Sequence, residues 1–143
     1  MKICEIGITR MLFIKLEPND DILESLTQAI TENSIQTGFF TAIGAIKTAN
    51  LGYYLLDQKK YKTITLEGNF EIVSCSGNIT LKDGAPMIHA HLVVADQKGR
   101  AFGGHLLADN KISITGEIFL IEAKMPLNRT LDAQFQVSLV NLD

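Results

Sequence analysis

The sequence predicts an α+β fold made of one helix and many short strands. Three observations carry that expectation. Apolar residues recur at helical spacing in one stretch only, β-branched and aromatic residues come in short runs elsewhere, and strands and helices do not alternate along the chain.

The helix is read from Asp20 to Asn33, where Ile22, Leu26, Ala29, Ile30 and Asn33 fall three to four residues apart and Leu23 widens the apolar stripe. Pro18 and the Asn19-Asp20-Asp21 run supply capping oxygens and negative charge to the free amides of the first turn. With Asp21 as the cap, Glu24 sits where a capping box needs it. Gly38, beyond Ile35, is read as a left-handed exit.

Strands are read at residues 11–16, 39–46, 50–56, 61–66, 70–80, 88–95, 101–107, 112–121 and 133–139. Residues 57–60, 67–69, 82–86 and 109–111 are the turn-like joints, short enough that consecutive strands should mostly be antiparallel neighbours.

With 143 residues, 46% of them hydrophobic and 20% charged, the chain is expected to form a single domain over residues 1–143 with one core. Its net charge of −3 gives no general attraction for polyanions, and the densest basic spot, Lys59, Lys60 and Lys62, reads as a solvated turn. The first residues lack the pattern of a secretory signal, and no uncharged apolar run approaches the roughly 20 residues of a membrane helix. Cys4 and Cys75 have no metal or redox spacing and are read as reduced, buried thiols, consistent with a cytoplasmic location.

The concentrated chemistry lies in one hairpin, which holds all three histidines of the chain. His89 and His91, two apart in an extended run, project to the same face. Asp96 to Arg100 reads as a hairpin loop with Gly99 in the left-handed position, and counting back from it sets His91 opposite His105. Neighbouring and diagonal Cβ separations of about 5 and 7 Å let three imidazoles close on one divalent ion, zinc or another transition metal, with a coordination position left open. The competing expectation is a bulge at Gly103-Gly104 that turns His105 away. Asp96, Glu117 and Glu71 are the acid or base candidates, by composition alone. Gly103-Gly104 is not part of a phosphate loop, and Ser74, Ser76 and Ser113 stand in no nucleophile elbow, so no catalytic residue is assigned.

The run Gly68-Asn69-Phe70-Glu71-Ile72-Val73-Ser74-Cys75-Ser76-Gly77-Asn78-Ile79 resembles the signature of the plants-and-prokaryotes conserved (PPC) domain. His89-Ala90-His91-Leu92 and Gly103-Gly104-His105-Leu106 are similar to its two histidine motifs, and Ala42-Ile43-Gly44-Ala45-Ile46 to its early glycine turn, in the same order and spacing from about Leu12 onward. The resemblance implies a mixed, mainly antiparallel sheet packed on the helix, assembly as a homotrimer, and a histidine site shared by the family. It also implies a DNA-binding or regulatory role. The chain carries no Arg-Gly-Arg-Pro minor-groove hook and has Asn69 where the signature has arginine.

Within the signature strand, alternation sets Phe70, Ile72 and Ser74 on one face and Glu71, Val73 and Cys75 on the other. Asn69, Phe70, Glu71 and Ile72 are the expected partner-binding residues. Three functional readings follow: a homotrimeric binding or regulatory module holding a metal or small ligand at His89, His91 and His105, a metal-dependent enzyme using metal-bound water on a small substrate, and direct DNA recognition.

Overall fold

The computed structural model describes residues 1–142. Its elements run β1 (Ile8–Leu16), α1 (Ile22–Glu32), β2 (Gly38–Leu55), β3 (Lys60–Lys82), β4 (Ala85–Ala95), β5 (Ala101–Leu106), β6 (Ile112–Ala123), β7 (Asn128–Leu131) and β8 (Ser138–Asn141). The strands form one sheet in the order β1-β6-β2-β5-β4-β3-β7-β8, and β2 also pairs with β3. That extra pairing joins β2, β5, β4 and β3 into a closed, barrel-like ring. All pairings are antiparallel except a short parallel one between β3 and β7, so the sheet is mixed but mainly antiparallel.

The single helix forms where its periodicity predicts, one to two residues shorter at each end because Asp21 and Asn33 are its caps. Ile22, Leu26 and Ile30 stack along one face and are fully buried, while Thr27, Gln28 and Thr31 face out. Asp21 does more than cap. One carboxylate oxygen accepts the amides of Leu23 and Glu24, and the other accepts the amide of Asn110 at 2.7 Å. Asn110, fully buried, in turn accepts from the Asn50 amide and donates to the carbonyls of Asn50 and Leu107. The helix start is thus tied to β2 and to the end of β5 by a buried polar network.

The helix exit differs from expectation. Ser34, with φ of 55°, makes the left-handed step. Gly38 is a strand residue, and it is glycine because a Cβ there would lie 2.6 Å from the Ile121 carbonyl oxygen.

Four expected strands are two long ones. The 39–46 and 50–56 segments are continuous in β2, and the 61–66 and 70–80 segments are continuous in β3. The expected turn at 67–69 is a bulge, with Gly68 at φ of 122°. A second bulge at Val73, where β3 gains one residue on both neighbours, resets the alternation. Cys75 therefore points into the core with Phe70 and Ile72, contrary to simple alternation. Its thiol, pushed up to about 12 by burial, is a packing group, whereas Cys4 is only half-buried. The strand expected at 133–139 is corrected as well. The Asp132 carboxylate accepts the amides of Gln134 and Phe135 and makes a turn there, between the short hairpin strands β7 and β8.

The Asp21 and Asn110 network yields a stability prediction. Asp21→Ala removes the helix cap and orphans a buried amide, so it is expected to destabilise the fold by about 2 to 4 kcal/mol in urea unfolding. A loss under about 0.5 kcal/mol would show that the network is not a structural tie.

Candidate metal centre

The hairpin register is the predicted one. Asp96 and Arg100 close the loop by a backbone hydrogen bond and a side-chain ion pair, Gly99 has φ of 73°, and His91 pairs with His105. No bulge interrupts β4 and β5 at Gly103-Gly104. These glycines serve close approach instead: a Cβ on Gly104 would meet the Gly52 carbonyl oxygen at 2.8 Å, at the contact where β5 joins β2.

Ala90, Leu92 and Leu106 face the core, so their alternating neighbours His89, His91 and His105 share the outer face of the ring. Ring centroids lie 5.4 Å apart for His89 and His91, 5.2 Å for His89 and His105, and 5.8 Å for His91 and His105. One nitrogen from each lies within 4.8 Å of the others. Bonds of about 2.0 Å to a tetrahedral zinc need donors roughly 3.3 Å apart, so side-chain rotation of about an ångström closes the set.

The electrostatics favour neutral imidazoles. Burial, then the neighbouring His89 and His91, pushes His105 down to about 4. Burial, then Arg129 and His91, lowers His89. Tyr61 lies against His105 at a centroid distance of 4.7 Å, and the His105 Nδ1 is sealed from solvent without a hydrogen-bond partner. A sealed, unpaired nitrogen costs about 1 to 3 kcal/mol unless something takes its lone pair.

The acid and base candidates are elsewhere. Asp96 is engaged by Arg100 in the hairpin loop, five residues and about 17 Å along β4 from His91. Glu71 pairs with Ala95 at the same distant end, and Glu117 lies on β6 beside Lys15 and Ile43. Of the expected partner-binding residues, Phe70 and Ile72 are buried in the core, while Asn69 and Glu71 are exposed.

Sequence reasoning missed what sits beside the histidines. A cavity of about 360 Å³ adjoins them and is walled in part by Tyr54, Tyr61, Lys82 and Arg129. Arg129 reaches from β7 across the outer face of β3, donating to Thr80 Oγ1, the Ser138 carbonyl and Asn78 Oδ1, with Nη2 at 3.5 Å from His89 Nδ1. No local signal marks an arginine in Asn-Arg-Thr-Leu as buried, because its burial comes from the parallel pairing of β7 with β3.

The depressed histidines set a pH dependence. The unfolded chain protonates His105 near 6.5 but the folded chain only near 4, so the folded state binds fewer protons between those values. Stability is therefore full above about pH 6.5 and is lost as pH falls through about 4. Urea midpoints measured from pH 7.5 to 4 should fall with pH in wild type and less steeply in His105→Asn; parallel profiles would contradict the assignment.

The family model of the Plants and Prokaryotes Conserved (PCC) domain matches residues 5–124. The chain superimposes on a plant- and prokaryote-conserved protein from Pyrococcus horikoshii with a TM-score of 0.91 and 30% identity, covering 100% of this chain and 99% of that one. A metal-containing protein from Archaeoglobus fulgidus gives 0.89 at 28% identity over 99% of both chains. A candidate DNA-binding protein from Ralstonia eutropha JMP134 gives 0.81 at 28% identity, over 92% of this chain and 90% of that one. The bifunctional protein GlmU of Synechococcus sp. (strain JA-3-3Ab) is 34% identical over 118 residues, 82% of this chain but 18% of that protein. The chain thus spans less than a fifth of the length of the curated relatives it matches. From the three histidines on the outer face of the ring to the matched residues 5–124, these findings agree: the chain belongs to the Plants and Prokaryotes Conserved domain family.

Proposed function

We propose that this protein is a metal-binding regulatory module that works as a homotrimer, with His89, His91 and His105 holding a divalent transition metal such as zinc and residues 1–143 acting as one domain. The observation that carries the reading is the convergence of three imidazoles within 4.8 Å on one face, two of them held towards the neutral, ligating form. The buried His105 Nδ1, without a hydrogen-bond partner, leaves that ring uncommitted to any competing protein acceptor or donor there. The metal-containing relative from Archaeoglobus fulgidus supports the same reading.

A second observation supports self-association. Along the sheet, the register places Phe13, Phe119, Thr41, Ser76, His91 and His105 in one row, and Met11, Ile121, Phe39, Asn78 and His89 in the next. Met11, Phe13, Phe39, Ile43 and Phe119 on this outer face are all exposed. A contiguous apolar face of this kind marks an interaction surface. A further copy of the chain seated on it brings subunits together beside the exposed His91, and Asn69 and Glu71 remain the accessible members of the expected partner set.

An enzyme using metal-bound water ranks below this reading, since the acid and base candidates Asp96, Glu71 and Glu117 lie away from the histidines. Direct DNA contact, carried by the description of the Ralstonia eutropha relative, ranks below it too, because the net charge is −3. No helix among the described residues is long and apolar enough to cross a membrane.

Two measurements test the proposal. Zinc titration of purified protein should show one ion per chain, and His91→Ala should weaken it by at least about 100-fold, the upper end of what losing a mere outer-shell partner costs. Equal, negligible metal in both proteins removes the site. Sedimentation equilibrium should give three times the chain mass, shifting towards monomer in Phe119→Glu; a monomeric wild type at micromolar concentration sinks the trimer.

A further inference from the structure

The cavity beside the histidines has a charge problem that the fold does not solve. Arg129 is 7% exposed, and its hydrogen-bond acceptors, Thr80, Asn78 and Ser138, are all neutral, with His89 Nδ1 a further contact at 3.5 Å. Among the described residues it has no ion pair. Buried charges without a counter-charge are costly, and neutral acceptors solvate a guanidinium without neutralising it. Three of its five N–H groups donate to these acceptors and Nη2 also lies against His89, leaving one N–H on Nη1.

Lys82 sharpens the problem. It is the direct cross-strand partner of Arg129 in the parallel pairing of β3 and β7, and both line the cavity. Like charges placed opposite each other repel, and among the described residues no carboxylate in that wall offsets them. The rest of the wall is of another kind: Met87, Leu131, Val137 and Leu139 give it an apolar side, and Tyr61 adds a phenol. The volume of about 360 Å³ is at the small end for a ligand cavity. Arg129, Leu131, Val137 and Leu139 all lie beyond residue 124, where the family match ends.

We propose that this cavity binds a small organic carboxylate, its anionic group between Arg129 and Lys82 and its apolar body along Leu131, Val137 and Leu139, with one end facing His89 and His105. An inorganic oxyanion would satisfy the cations but leave the apolar wall uncovered. The anion site itself does not need a metal. That the bound acid lies beside an open metal position, where it would offset the charge of the ion, rests on the metal reading.

The test is a ¹H–¹⁵N chemical-shift titration with three probes, hexanoate, its neutral amide hexanamide, and inorganic phosphate, on wild type stripped of metal by chelator and then reloaded with zinc. Hexanoate is expected to bind the stripped protein at least about tenfold more tightly than hexanamide, the value of one charge-assisted hydrogen bond. Lys82→Gln, at an exposed position that leaves the core untouched, should narrow that preference, and Arg129→Gln should abolish it where circular dichroism shows the fold retained. Equal binding of acid and amide, an unchanged preference in Lys82→Gln, or phosphate binding more tightly than hexanoate overturns the proposal. Carboxylate preference with no zinc uptake removes the metal centre and keeps this site, whereas zinc uptake without that preference does the reverse.

Discussion

Everything specific about this molecule depends on a short contact, the pairing of β5 with β2 through Leu51 with Leu106 and Gly52 with His105. Together with the pairing of β2 and β3 it closes the sheet into a ring and lets the buried side chains of β2, β3, β4 and β5 face one another as a single core. The contact is possible because Gly104 brings the two backbones closer than a Cβ permits, since one there would lie 2.8 Å from the Gly52 carbonyl oxygen, while a Cβ on Gly52 would crowd the Tyr61 ring and the His105 side chain. It is reinforced from below by Asn110, which bonds both the amide and the carbonyl of Asn50, one residue from the pairing. Closure also fixes His105 from both sides, against His91 on β4 and against Gly52 on β2. A histidine so held stays buried, and that burial, then the nearby His89 and His91, is the physical basis for its reluctance to accept a proton.

The same geometry explains why the outer face is chemically unusual. Histidines, a buried arginine and a lysine gather there with tyrosines, and among the described residues the cavity wall they form has no carboxylate. Burial, then Arg129, holds His89 away from protonation, and Arg129 also opposes any cation brought to the histidines. A metal in this place is therefore best tolerated together with an anion, and an anion is what Arg129 and Lys82 lack. The two proposals are electrostatically complementary, although each stands on its own residues.

Local chemistry made a good part of this legible from sequence. The helix, its Asp21 cap, the hairpin with Gly99 and the facing of His91 and His105 all follow from side-chain periodicity and turn residues within a few positions. The expected breaks in β2 and β3 do not form, because polar and glycine residues such as Gly68 signal a turn locally, whereas two flanking strands can carry the chain through the same residues as a bulge. The Val73 bulge reversed the facing of Cys75 for the same reason.

By itself, then, the sequence determined one helix, a mainly antiparallel sheet and three histidines sharing a face, since each depends on bond geometry and neighbours close along the chain. Tertiary structure alone decided the closure of the ring, the depth of His105 and the arrival of Arg129 from β7, because these depend on segments tens of residues apart whose pairing no local pattern encodes. The candidate metal ligands belong to the first group and the cationic cavity beside them to the second, which is why the histidines could be named from sequence and the arginine could not.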